Sequence, residues 1–133
     1  MLIFIGYPIL IVYVFFAEKN EFLKVTLVPF GVFLFVTLLR KLINEQRPYE
    51  KYGIPSLFNK TTKGQSMPSR HTASAFIIAM TFLYINSYIG ITALVIAVLI
   101  GLSRIVAGAH FVRDVLVGAG IGILAGIVFL FLV

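Results

Sequence analysis

The stretch Ser103-Arg104-Ile105-Val106-Ala107-Gly108-Ala109-His110-Phe111-Val112-Arg113-Asp114 places a base, a carboxylate and a permanent cation within a short run of an otherwise apolar chain. His110 and Asp114 are four apart, so on a helix they share one face, and the carboxylate can accept a hydrogen bond from the imidazole. That pairing fixes the tautomer and supports positive charge on the ring. Arg104 adds a forked donor suited to phosphate oxygens. By itself a His-x-x-x-Asp pair is more often a local hydrogen bond than a catalytic dyad. Two further polar clusters, described below, give it weight.

The surroundings are hydrocarbon-loving. The chain has 133 residues, 60% hydrophobic and only 12% charged, with a mean hydropathy of +1.05. Such a composition belongs to an all-α, polytopic transmembrane helix bundle. Cysteine is absent, which excludes disulfides, thiolate metal sites and cysteine nucleophiles. The net charge of +6 is high for so apolar a sequence and calls for an anionic partner, a lipid headgroup or phosphate. Nucleic acid is disfavoured, because the basic residues are scattered among apolar segments and no binding motif accompanies them.

Working back from Ser103, the apolar run Ile89 to about Leu102 reads as a fourth span, joined through a tight turn at Asn86-Ser87-Tyr88 to a third, Thr72 to Ile85. Both runs are short for a bilayer, so their helices should extend into the polar flanks. Before the third stands Ser66-Met67-Pro68-Ser69-Arg70-His71. Pro and Ser there are helix-start signals, which puts Ser69, Arg70 and His71 at a helix N-terminus, a natural anion site. The plainer alternative is a capped helix with an interfacial Arg and His.

The long polar segment Asn44 to Met67 reads as a partly ordered lid. It follows a second span, Phe22 to about Ile43, in which Lys24 is placed to snorkel and Pro29 to kink the helix. That span ends in Arg40-Lys41-Leu42-Ile43-Asn44-Glu45-Gln46-Arg47-Pro48. Arg40 and Arg47 are almost two turns apart and face the same way, with Lys41 off that line. Leu2 to Phe16 reads as a retained first span rather than a signal peptide, since it lacks a basic leader and a small-residue cleavage site. Downstream of Ser103, the break at Ala107-Gly108-Ala109 presents His110 near the start of a fifth span that runs to Val133. There Gly118, Gly122 and Gly126 make a small-residue stripe for close packing, within the bundle or between protomers of a homo-oligomer. The chain reads as one domain, 1–133, with five spans. Counting crossings brings all three clusters to one membrane face.

In this order the clusters resemble the motifs of the type 2 phosphatidic acid phosphatase superfamily of integral-membrane lipid phosphatases. That family shares its site with soluble acid phosphatases and vanadium haloperoxidases. Its third motif, Ser-Arg, five residues, His, three residues, Asp, is complete here as Ser103, Arg104, His110 and Asp114. Its second, Pro-Ser-Gly-His, reads Pro68-Ser69-Arg70-His71, and its first, Lys, six residues, Arg-Pro, reads Arg40 to Arg47-Pro48. The resemblance covers about 40–133, with the first span as an added helix and one span fewer than the family's six. Arg40 stands for Lys and Arg70 for Gly. The Arg70 side chain would add a second clamp, suiting a diphosphate or another strongly anionic headgroup.

The resemblance implies a phosphatase acting on a lipid phosphate or diphosphate such as phosphatidate, phosphatidylglycerol phosphate or undecaprenyl diphosphate. It assigns His110 as nucleophile, giving a phosphohistidine, Asp114 as its orienter and His71 as the general acid. Arg40, Arg47, Ser69, Arg70 and Arg104 would hold the phosphoryl oxygens. No metal-binding carboxylate cluster is visible in the sequence, so neither a metal nor another cofactor is expected. A non-enzymatic anionic-lipid binder or assembly subunit is the alternative. An ion pathway is disfavoured, because the ionisable residues cluster at span ends.

Lys19 and Lys24 lie on the side away from the motifs and the other nine Lys and Arg on the motif side, which by the positive-inside rule would be cytoplasmic. Four of those nine, Arg40, Arg47, Arg70 and Arg104, are expected phosphate ligands, held there by chemistry. Bacterial members of the family typically work on the outer face of the cytoplasmic membrane, and an extracytoplasmic site is the expectation adopted. Five crossings put the two termini on opposite sides. Reporter fusions at each end should therefore give opposite readings, and like readings would remove one crossing.

Overall fold

The structure, a computed structural model, describes residues 2–17, 19–43, 67–106 and 111–132. Five helices account for nearly all of them, and no strand occurs among the described residues. They are α1 (Leu2–Ala17), α2 (Phe22–Ile43), α3 (Arg70–Ile85), α4 (Ser87–Val106) and α5 (Val112–Gly126). A short 3-10 turn, Lys19–Glu21, leads into α2, and α5 continues as π-helix over Ile127–Leu132. The expected lid, Asn44 to Met67, lies outside the described residues except for Met67.

α3 is the hub. Thr72, Ala73, Ala75, Phe76, Ile77, Ile78, Ala79, Met80 and Thr81 are all buried, so this helix is covered on every side. It touches each of the other four, most extensively α4 and α5. The outer helices bear large apolar side chains on the surface, among them Phe35, Leu38, Leu99, Leu116 and Leu124. An apolar exterior around a helical interior is the arrangement a bilayer requires, because every backbone group is satisfied within its own helix.

Length separates the five. α2, α4 and the Val112–Leu132 helix are long and apolar enough to cross a membrane. α1 and α3 have 16 residues each, ~24 Å of rise against a hydrocarbon core of ~30 Å. The expected extension into polar flanks occurs in α4, which takes in Ser103 and Arg104. At α3 it adds only Arg70 and His71. α2 runs unbroken through Pro29, which is buried.

One residue turns the chain between α3 and α4. Asn86 is extended, its N–H donates to Phe82 O (2.7 Å), and its Oδ1 accepts from the N–H groups of Tyr88 (3.0 Å) and Ile89 (3.2 Å). It thus closes one helix and caps the next. Gly90 lets α4 leave this corner against α3, since a Cβ there would overlap the Leu83 backbone. At the same end Tyr7 Oη donates to Val25 O (2.6 Å), joining α1 to α2.

Lys24 does not snorkel. Its ammonium donates to Leu130 O (3.3 Å) and lies 5.3 Å from the Tyr84 ring centroid. A carbonyl at the C-terminal end of a helix is a favourable place for a cation. Tyr84 in turn donates to Glu21 Oε2 and meets Phe131 edge-on.

The glycine stripe is used inside the chain. A Cβ at Gly118 would sit 2.6 Å from Ser69 O, one at Gly122 would sit 2.8 Å from Phe76 Cβ and 2.9 Å from Ala73 O, and one at Gly126 would sit 2.7 Å from Met80 Cβ. All three glycines are buried against α3. The expectation of a homo-oligomer through Gly118, Gly122 and Gly126 is therefore corrected, because α3 already occupies that face. Gly122→Val should destabilise by at least ~2 kcal/mol, since its new atoms meet backbone as well as side chain. Gly120→Ala, with nothing within 4 Å of the new Cβ, should leave stability equal or slightly raised. Thermal unfolding in detergent reads both; a changed oligomeric state at unchanged Tm would return the stripe to an intermolecular role.

Candidate active site

The site is assembled from four helix ends. Arg40 is in the last turn of α2 and only 6% exposed, whereas Lys41 beside it is exposed. This is the inward and outward split that the 100° step per residue predicts. Arg47, its expected partner, lies outside the described residues.

Ser69 is the N-cap of α3, as the sequence indicates. Its Oγ accepts from Thr72 N (3.3 Å) and donates to Thr72 Oγ1 (2.9 Å), and both residues are fully buried. The Ser69 N–H donates to Asp114 O (3.0 Å), which ties the start of α3 to the start of α5. Arg70 reaches sideways to α2: one guanidinium nitrogen donates to Thr37 Oγ1 (3.4 Å), and Cζ lies 5.1 Å from the Phe33 ring centroid. His71 is exposed, with its ring edge-on to Phe4 of α1 at 6.2 Å and 88°.

α4 contributes Arg104, 8% exposed and in its last turn. Ser103 faces outward and donates to its own helix at Ile100 O (2.6 Å). One turn earlier, a Cβ at Gly101 would meet Val115 Cγ1 at 2.9 Å and Thr72 Cγ2 at 3.6 Å. The end of α4 therefore stands against the starts of α3 and α5. The Arg70–Thr37 contact does the same for α2, one turn before Arg40.

Asp114 is 0% exposed. Its Oδ2 accepts from the N–H of Phe111 (2.8 Å), the extended residue that precedes α5, and its Oδ1 lies 3.7 Å from Arg113 Nε. Phe111 has no side-chain acceptor, so this is half of a capping box, with the N3 carboxylate reaching back. His110 lies outside the described residues. Because α5 begins at Val112 behind an extended Phe111, the one-face helical relation between His110 and Asp114 is not supplied by α5. Asp114 binds the backbone of Phe111, the residue next to His110.

The described residues thus gather Arg40, Ser69, Arg104 and Asp114, buried, with Arg70 and His71 at the rim. Two buried guanidiniums stand against one buried carboxylate, and α3 and α5 both begin here with the positive ends of their dipoles. This end of the bundle favours an anion. Sequence reasoning did not single out Thr37, Phe33 and Phe4, which position Arg70 and His71. They are ordinary span residues with no local signal. Thr72 was legible only as the neighbour of a motif.

The family model described as PAP2 superfamily matches residues 21–133. The lipid A 1-phosphatase of Porphyromonas gingivalis is 40% identical over 80 residues, 57% of this chain and 18% of that protein. The undecaprenyl-diphosphatase BcrC of Bacillus subtilis is 33% identical over 85 residues, 64% of this chain and 44% of that protein. The chain spans less than half the length of either. Among solved structures, Aquifex aeolicus LpxE superposes with a TM-score of 0.81 at 32% identity, covering 96% of this chain and 77% of LpxE. The first transmembrane PAP2-type phosphatidylglycerolphosphate phosphatase from Bacillus subtilis gives 0.65 at 25% identity, covering 95% of this chain and 66% of the other.

The cap geometry makes a prediction independent of chemistry. Asp114→Ala strands the Phe111 N–H and should cost ~1–3 kcal/mol. Asp114→Asn keeps an acceptor oxygen and should cost less. Thermal unfolding of the two variants in detergent checks the order, and equal losses would show that the carboxylate acts through its charge rather than through this hydrogen bond.

Proposed function

The chain belongs to the PAP2 superfamily, and from that premise we propose that it is a multi-pass membrane phosphatase that removes phosphate from a lipid phosphate or diphosphate. The supporting observation is the convergence of buried Arg40 and Arg104 with the N-termini of α3 and α5 at one end of an apolar bundle. A lipid phosphate has the matching form, a multiply charged head on a hydrocarbon tail. The relatives bear names that refer to different lipids, all with a phosphorylated head.

In the proposed reaction a neutral His110 attacks phosphorus, and the bond from phosphorus to the leaving oxygen breaks. His71 gives that oxygen its proton, yielding the dephosphorylated lipid and a phosphohistidine. His71, now neutral, takes a proton from water as the water displaces the imidazole and releases phosphate. Negative charge spreads over the equatorial oxygens in each transfer, where Arg40, Arg47, Arg104 and the Ser69 end of α3 stabilise it. Asp114 holds the His110 segment, and Arg70 at the rim takes the second phosphate of a diphosphate. No metal or cofactor takes part. The site faces the extracytoplasmic side of the cell membrane.

The test is phosphate release by purified protein in detergent from phosphatidate, phosphatidylglycerol phosphate, undecaprenyl diphosphate and a soluble phosphate ester. His110→Ala should lower kcat by about ten-thousand-fold, and Arg104→Ala by about a hundredfold or more. One histidine must be neutral and the other protonated, so the pH profile should be bell-shaped. Activity should survive a chelator and be inhibited by vanadate, which mimics five-coordinate phosphorus. Release from no substrate by folded protein would leave a lipid-binding role instead.

A further inference from the structure

Two of the apolar grooves formed by the described residues indent the sides of the bundle. The larger, about 690 Å³, runs between α2 and α5 past Gly31, Phe35, Ile121 and Leu124. The smaller, about 470 Å³, lies between α1, α2 and α3. Of these two, the smaller opens at residues that touch the site. Its walls include Phe4, against which the His71 ring stands, and Phe33, over which the Arg70 guanidinium lies. From there it descends to Ile11 on α1 and Thr26 on α2. Phe4 to Ile11 and Thr26 to Phe33 are each seven residues, ~10 Å along a helix axis.

The wall also carries a polar mark. Ser74 lines the groove four residues after Arg70, so it stands on the same face of α3, ~6 Å deeper. Its Oγ is buried and has no hydrogen-bond partner among the described residues. Thr26 Oγ1, at the far end, has none either. A buried hydroxyl without a partner is costly, so a turn of Ser74 about χ1 that carries its Oγ from the wall into the groove is favoured when the occupant brings an acceptor, and not when it is hydrocarbon throughout.

Resting on the lipid phosphatase reading, we infer that this groove, and not the larger one, receives the tail of the substrate, and that the tail is an acyl chain. With the phosphoryl group at Arg40 and Arg104 and its leaving oxygen at His71, beside Arg70, the acyl carbonyl accepts from Ser74 Oγ, and the hydrocarbon lies between Phe4 and Phe33 down to Ile11 and Thr26. The cationic mouth, the acceptor-seeking hydroxyl one turn below it and the apolar floor follow the order of groups in an acylated lipid phosphate. An isoprenyl chain offers nothing to Ser74.

The experiment uses the full chain in detergent with phosphatidates of different chain length, their ether-linked analogues and a prenyl phosphate. Ester should be preferred over ether by about fivefold, the worth of one hydrogen bond, and Ser74→Ala should abolish that preference. Thr26→Phe, which plugs the deep end, should lower the ratio of kcat/KM for sixteen-carbon against eight-carbon chains by about tenfold. Gly31→Leu fills the larger groove, where an added Cβ meets nothing within 4 Å, and should leave both ratios unchanged. An ester preference that survives Ser74→Ala, or a chain-length effect in Gly31→Leu only, overturns the inference. A preference for the prenyl phosphate does so too. Release of phosphate from none of these lipids would be the failure of the phosphatase reading. The groove is then read without turnover, by photolabelling with a phosphatidate whose acyl tail carries a diazirine. Labels on α1 and on Thr26 or Ile78 support it, and labels over Ile121 to Phe129 overturn it.

Discussion

The close approach of α5 to α3 is the constraint on which the rest of the bundle depends. Gly118, Gly122 and Gly126 let backbone meet backbone and Cβ atoms along one face, and the Ser69 N–H closes the contact on Asp114 O. Within lipid there is no water to expel between helices, so association rests on such van der Waals contact and on hydrogen bonds across the seam. The seam also sets the site, because it fixes the first residues of α3 beside the first residues of α5. Arg40, Arg104 and the N-terminus of α3 are placed with respect to that line.

Two consequences follow for the chemistry. Buried guanidiniums at the end of an apolar bundle act through a medium that screens them poorly, so their field at a phosphate is stronger than it would be on an open surface. The N-termini of α3 and α5 add to it without moving, which is what preorganised stabilisation of spreading negative charge requires. Asp114 also holds the Phe111 N–H and so fixes where α5 starts. The Lys24, Glu21 and Tyr84 contacts anchor the opposite end of the bundle, where the π-helical residues after Gly126 place the Leu130 carbonyl within reach of an ammonium.

Much of this was legible in the chain. The membrane class, the helical fold, the bounds of α2 within a residue, the corner at Asn86 and the cap at Ser69 follow from apolar runs and capping residues, which act over a few positions. Arg40 inward and Lys41 outward follow from helical phase alone. Phase says less about His110 and Asp114, since Phe111 is extended and α5 starts beyond it, so α5 alone does not set their relation. Lys24 was read as snorkelling because its partner, a carbonyl on a helix more than a hundred residues away, leaves no local trace.

The sequence by itself determined the family, because the motif side chains and their spacing are written in the chain. It also determined that they belong on an apolar scaffold. Tertiary structure decided the rest. It set the glycine stripe against α3, sent Arg70 to Thr37 and Phe33, and set His71 against Phe4. Each of these depends on which helix faces which. Helical periodicity defines the faces of one helix, whereas the pairing of faces is settled by where small residues allow backbones to touch.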